Sequence, residues 1–184
     1  NTDNGVTFNG VSSVTTADVV ASNGIVHIVD SVIGLPTVVT FAVADPNFEI
    51  LVQALTRDDL TMDFVGLLNS STSPPTPLTV FAPVNNAFVN LLDELGLNGL
   101  NDIDEPTLSA VLTYHVVTGA NQLSINLSDG MEFTTAGGGA LLFNFGDNGE
   151  GILTDNNGRT SNIVAVDVQA NNGIIHAIDK VVLP

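Results

Sequence analysis

Asp167-Val-Gln-Ala-Asn-Asn-Gly-Ile-Ile-His-Ala-Ile-Asp179, followed by Lys180-Val-Val-Leu-Pro184, is the stretch on which the fold turns. Two apolar, β-branched arms flank an Asn-Gly turn, the pattern of a tight β-hairpin. The same stretch stands near the start as Asp18-Val-Val-Ala-Ser-Asn-Gly-Ile-Val-His-Ile-Val-Asp30, followed by Ser31-Val-Ile-Gly-Leu-Pro36. The copies align without a gap at an offset of 149 residues, until one extra residue, Gly34, separates them. Solenoid repeats run about 20–50 residues, so a period this long marks a domain. Residues 37–184 are expected to form one complete module of 148 residues. Residues 1–36 are expected to be the C-terminal hairpin of a preceding module, so the chain reads as a piece of a longer array. That first segment has no core of its own and must pack on a neighbour or belong to a fold completed elsewhere.

Composition narrows the function. Apolar residues make up 44% of 184, enough to bury a real core. Only Arg57, Arg159 and Lys180 are basic, against 20 acidic residues, for a net charge of −17. Such a surface repels phosphate and anionic lipid, which argues against nucleic acid and membrane surfaces as partners. No apolar run approaches the roughly 18–20 residues that span a bilayer, so direct membrane insertion is not expected. Cysteine is absent, which excludes disulfides, thiolate zinc sites and cysteine nucleophiles. Asn69-Ser70-Ser71 and Asn126-Leu127-Ser128 are glycan acceptors only where the source organism N-glycosylates.

Local signals place the elements. Asp45-Pro46 is a helix start, with Phe48, Leu51, Val52 and Leu55 on one face. A short helix is expected across Leu60, Phe64, Leu67 and Leu68, then a loop from Ser70 to Pro77. Leu78 to Ala82 suits a buried strand. Asn85 or Asn86 is expected to cap the next helix, whose face is Phe88, Leu91, Leu92 and Leu95, with Gly96 as its stop. A further helix begins near Asp104-Glu-Pro106 and carries Leu108, Val111, Leu112 and His115. From Val116 the pattern turns to short strands, ending in Ile163–Gln169 and Ile174–Leu183 around Asn171-Asn172-Gly173. Helices first and mostly antiparallel strands afterwards make an α+β fold. Residues 37–44 are ambiguous between strand and helix.

Three segments resemble the fasciclin (FAS1) family. Thr79-Val-Phe-Ala-Pro-Val-Asn-Asn-Ala-Phe88 is similar to its first conserved box, Tyr114-His115 to its Tyr-His motif, and Asn172 to Pro184 to its second box. The resemblance covers residues 37–184, and Asn23–Pro36 resembles a second copy of the last box. Val84 and Asn86 depart from the first box, where Thr or Ser and an acidic residue are common. The resemblance implies a β-sandwich or wedge of mostly antiparallel strands with several packed helices. It also implies tandem modules on secreted or surface-anchored proteins that mediate adhesion. Recognition in some animal members involves the Tyr-His region, which makes Tyr114 and His115 the recognition candidates.

Chemistry of the side chains points the same way. His27 and His176 are equivalent copies, so a module holds only His115 and His176. Strand positions three apart face opposite sides, so His176 and Asp179 are not expected to form a dyad. His176 shares a face with Ile174 and Ile178 and reads as a buried, hydrogen-bonded histidine. His115 reads as a structural residue at a helix-to-strand junction. Neither a Gly-x-Ser-x-Gly elbow nor a phosphate loop occurs, and Gly137–Gly139 reads as a flexible turn. Asp147, Glu150 and Asp155 are oxygen ligands of the type calcium takes. Their spacing is not that of an EF-hand, and such residues are also ordinary turn formers, so the turn reading is preferred. The expected protein is a non-enzymatic, extracellular or cell-surface adhesion module without a cofactor. Its expected partners are surface proteins or glycans of cells or matrix, and other copies of itself. The alternatives are a repeat unit of an extracellular filament, joined through its exposed hairpin, and a small-ligand-binding module near His115.

Overall fold

The computed structural model describes residues 5–9, 11–70 and 77–184. Most of the expected Ser70–Pro77 loop, and Ser71 of the first glycan acceptor, lie outside the described residues. The chain opens with a three-stranded antiparallel sheet: β1 (Thr7–Phe8), β2 (Ser12–Ala21) and β3 (Gly24–Val29). Helices α1 (Val38–Ala44), α2 (Glu49–Leu55) and α3 (Phe64–Asn69) follow, with a 3₁₀ turn at Pro46–Phe48. Next come β4 (Leu78–Pro83), α4 (Asn85–Leu95), α5 (Glu105–Tyr114) and β5 (Val116–Thr118). The chain ends in β6 (Met131–Thr134), β7 (Ala140–Phe145), β8 (Gly151–Thr154), β9 (Thr160–Gln169) and β10 (Gly173–Ile178). No single helix among the described residues is long and apolar enough to cross a membrane.

The ambiguous residues 37–44 are a helix. Val38, Val39 and Thr40 disfavour it by propensity, but Thr37 and Thr40 form a reciprocal capping box. Val38 and Ala42, four apart, then bury one face. The helix stops at Asp45, which precedes a proline and is held extended. Asp45 also accepts from Asn47 N–H at 2.9 Å and so caps the turn that leads into α2.

One expectation fails at α4. Its N-cap is Val84, with no side-chain hydrogen bond. Asn85 lies inside the helix and faces α2 instead, accepting from Ile50 N–H at 2.9 Å and donating to Pro46 O at 2.8 Å. Leu95, expected on the buried face, is exposed. Gly96 ends the helix as expected, at a left-handed φ of 67°.

The order β5-β4-β10-β9-β8-β7-β6 makes one seven-stranded sheet, antiparallel except for β4 against β10. Its two ends meet, because Val117 bridges Thr135 and Ala136 N–H donates to Val116 O at 2.7 Å. The sheet is thus nearly closed into a barrel. β4 and β10 are buried along their whole length, and side-chain alternation sends successive residues into two cores. Val80, Ala82, Ile175 and Ala177 pack against the helices. Phe81 and Ile178 point into the barrel with Tyr114, Phe133, Leu141, Phe143 and Leu153. Full burial of each such Leu, Ile or Phe contributes about 1.5–3 kcal/mol.

The two hairpins share a set of internal bonds. Asp18 and Asp167 both take a left-handed φ, 58° and 61°, at irregularities in β2–β3 and β9–β10. Asp18 N–H donates to His27 Nδ1 at 3.2 Å, and Asp167 N–H to His176 Nδ1 at 3.4 Å. Ser13 N–H meets Asp30 and Asn162 N–H meets Asp179, each at 2.8 Å. β10 ends earlier than expected, at Ile178, and Lys180–Pro184 continue without strand pairing.

Candidate functional site

Helix α5 delivers the Tyr-His pair. Asp104 caps it by accepting from Thr107 N–H at 3.1 Å, and Pro106 sits in its first turn. Leu108, Val111 and Leu112 bury one face, so Tyr114 and His115 emerge where helix becomes strand. Tyr114 is 0% exposed and fills the barrel end. Its hydroxyl donates to Ala140 O and accepts from Asn156 N–H at 3.2 Å. Burial raises its pKa above the ordinary tyrosine value.

His115 is 4% exposed. Its Nδ1–H donates to Val111 O at 2.7 Å, which leaves Nε2 to accept from Val182 N–H at 3.2 Å. Burial pushes its pKa down to about 4, against an opposing hydrogen bond to Val111. The imidazole is therefore a neutral strut between α5 and the closing segment. Both recognition candidates are interior. Near the motif, a depression is lined by Pro106, Thr107, Ala110, Val111, Asn157 and Leu183.

His176 carries the other tautomer. Its Nε2–H donates to Gln122 O at 2.8 Å, its Nδ1 accepts from Asp167, and its ring stacks on Phe81 at 5.7 Å. Burial lowers its pKa. Asp167, whose burial acts in the opposite sense, is held below the usual carboxylate range by Ser124, which donates from both N–H and hydroxyl. Asp179 turns away toward Asn162 and Ser161, so it is not paired with His176.

The oxygen-ligand candidates do not converge. Asp147 and Glu150 occupy the β7–β8 turn, and Asp155 lies at the other end of β8. Asp155 is buried and already occupied, accepting from Asn157, Arg159 and Leu183 N–H groups at 2.9 Å each. Among the described residues no group of three or more His, Asp or Glu can hold a metal ion. The triple glycine is not a loose turn. A Cβ on Gly139 would stand 2.5 Å from the Tyr114 ring, and one on Gly137 would stand 3.0 Å from Thr113 Oγ1.

Sequence reasoning missed Asn172. It is 3% exposed; its Oδ1 accepts from Val38 N–H at 3.0 Å and its Nδ2 donates to Leu68 O at 2.7 Å. One side chain thereby holds the start of α1, the end of α3 and the hairpin. Two of the three cations are likewise committed. Arg57 clasps Asp59 and donates to Leu100 O and Ile103 O at 2.7 Å each, and Arg159 pairs with Glu94 at 2.7 Å.

A nearly closed, mostly antiparallel seven-stranded sheet with helices against one side is the FAS1 architecture. A solved FAS1 domain pair from the insect cell adhesion molecule fasciclin I matches it at a TM-score of 0.64 and 23% identity. That match covers 96% of this chain and 61% of the domain pair. The Fasciclin domain family model matches residues 1–36 and 46–184, and the chain belongs to that family. It is 35% identical over 153 residues to "Uncharacterized protein sll1735" of Synechocystis sp., covering 81% of this chain and 98% of that protein. It is 28% identical over 187 residues to human periostin, covering 96% of this chain and 20% of periostin.

Proposed function

We propose that the chain is an extracellular adhesion module that acts by protein–protein or protein–glycan contact and carries out no reaction. The observation that supports this best is the commitment of the tyrosine and histidine rings of residues 37–184. Tyr114, His115 and His176 each have their polar ring atoms engaged, almost wholly by main-chain groups, inside the fold. A histidine acting as general base needs a free ring nitrogen facing substrate, and His115 and His176 have none. Fold likeness to a named cell adhesion molecule supports the same reading. The acidic exterior suits neutral or basic partners, since Lys180 is the one basic residue among the described residues not held in an ion pair.

The test is binding of the full chain, displayed on beads, to matrix proteins, cell surfaces and a glycan array at physiological ionic strength. Saturable capture of a defined protein or glycan is expected, together with no turnover in a broad hydrolase screen. Turnover that disappears in a His115→Ala variant, while the fold survives, would replace this reading with an enzymatic one.

A further inference from the structure

The first hairpin keeps residues whose use is visible only in the second. In β10, Gly173 is required because a Cβ there would stand 2.3 Å from Leu78 O, so closely does β4 run beside it. Its counterpart Gly24 has a negative or extended backbone and nothing within 4 Å. Asn172 bonds α1 and α3, yet its counterpart Asn23 is exposed and its side chain makes no hydrogen bond among the described residues. His176 donates to Gln122 and stacks on Phe81; His27 keeps only the internal bond to Asp18.

Burial shows the same contrast. Ile174, Ile175 and Ala177 are 0%, 3% and 6% exposed, whereas Ile25, Val26 and Ile28 are 61%, 52% and 50% exposed. Contiguous apolar surface of this kind marks an interaction site. One edge of β3 pairs with β2, and the other has no strand beside it in the three-stranded sheet.

We infer that the free edge and both faces of β3 take a preceding module of this same type that lacks a closing hairpin of its own. Its β4-like strand runs parallel to β3 in the register seen for β10, with a leucine opposite Gly24 and a phenylalanine opposite His27. Asn23 then accepts a helix-start N–H of the kind Val38 offers and donates to a helix-end carbonyl of the kind Leu68 offers. A second folded copy cannot fill this place, because both edges of its β4 are already paired, with β5 and β10. This inference concerns architecture and stands whether or not the adhesion reading does.

The test joins residues 37–160 directly ahead of Ser12, the junction that the offset of 149 prescribes, and compares this tandem with chain 1–184. Hydrogen exchange of the amides at 25–28 is expected to slow by about 100-fold or more in the tandem, as core amides do. Gly24→Val and Asn23→Ala should abolish that protection in the tandem and leave the melting of chain 1–184 unchanged. Equal exchange in the two proteins, or an added segment that stays unfolded, overturns the inference. Protection that grows with the concentration of chain 1–184 alone overturns it too, by assigning the face to a second copy.

Discussion

The imidazole of His115 and the backbone N–H of Val182 form a 3.2 Å bond that ties the end of α5 to the closing segment. The bond requires an unprotonated Nε2, because the other ring nitrogen already donates to Val111. Protonation would break it and bury a charge.

Acid should therefore loosen the module. Unfolded histidine takes up its proton near pH 6.5, and folded His115 only near 4. Between those values the unfolded chain binds more protons, so stability is complete above pH 6.5 and falls as pH drops toward 4. The fall from this group is about 3 kcal/mol, and buried His176 adds to it in the same direction. Urea midpoints from pH 7.5 to 4 should show the decline, and His115→Gln should flatten it. A wild-type profile level across that window would contradict the assignment.

Gly139 is a packing position. Gly139→Ala drives a methyl into the ring of Tyr114, whose hydroxyl is tethered at Ala140 and Asn156. Overpacking of this type costs about 1–3 kcal/mol. Gly99 is extended, and a methyl added there would meet nothing within 4 Å. Gly99→Ala therefore serves as the control, with an unchanged melting temperature.

Helix α4 can be improved. Val84 holds the extended backbone of an N-cap, φ −71° and ψ 164°, without a side-chain acceptor. Val84→Thr keeps the β-branch and supplies the oxygen, which is worth about 0.5–1 kcal/mol. The melting temperature should rise by about 2–4 °C. A lower value would mean that burial of the lost methyl against the helical core outweighs the cap.

Local chemistry was legible in the residues themselves. Asp45-Pro46, Asp104-Glu-Pro106 and Gly96 mark helix ends by capping and backbone preference, which need no partner. The closing hairpin was legible because it occurs twice, and the interior position of His115 followed from its spacing to Leu108. Contacts between distant segments were not. An apolar run such as Leu78–Ala82 states that it is buried, without naming β10 as its parallel neighbour. Asn172 hid behind its own turn chemistry, since Asn-Gly already explains a hairpin. Gly137–Gly139 looked pliant because a sequence does not reveal that a tyrosine ring lies against them. At residues 37–44 propensity and capping disagreed, and burial of Val38 and Ala42 decided for the helix.

β4 pairs with a strand whose first residue lies 95 positions later, Leu78 against Gly173. Insertion of the final strand into the middle of the sheet leaves the ribosome-bound chain with a gap through its centre until that strand emerges. Pairing across so long a stretch makes folding slow, and for that interval the edge of β4 that β10 covers stays unpaired. An exposed apolar cleft during synthesis is where chaperones act and where neighbouring nascent chains of the same kind can exchange strands.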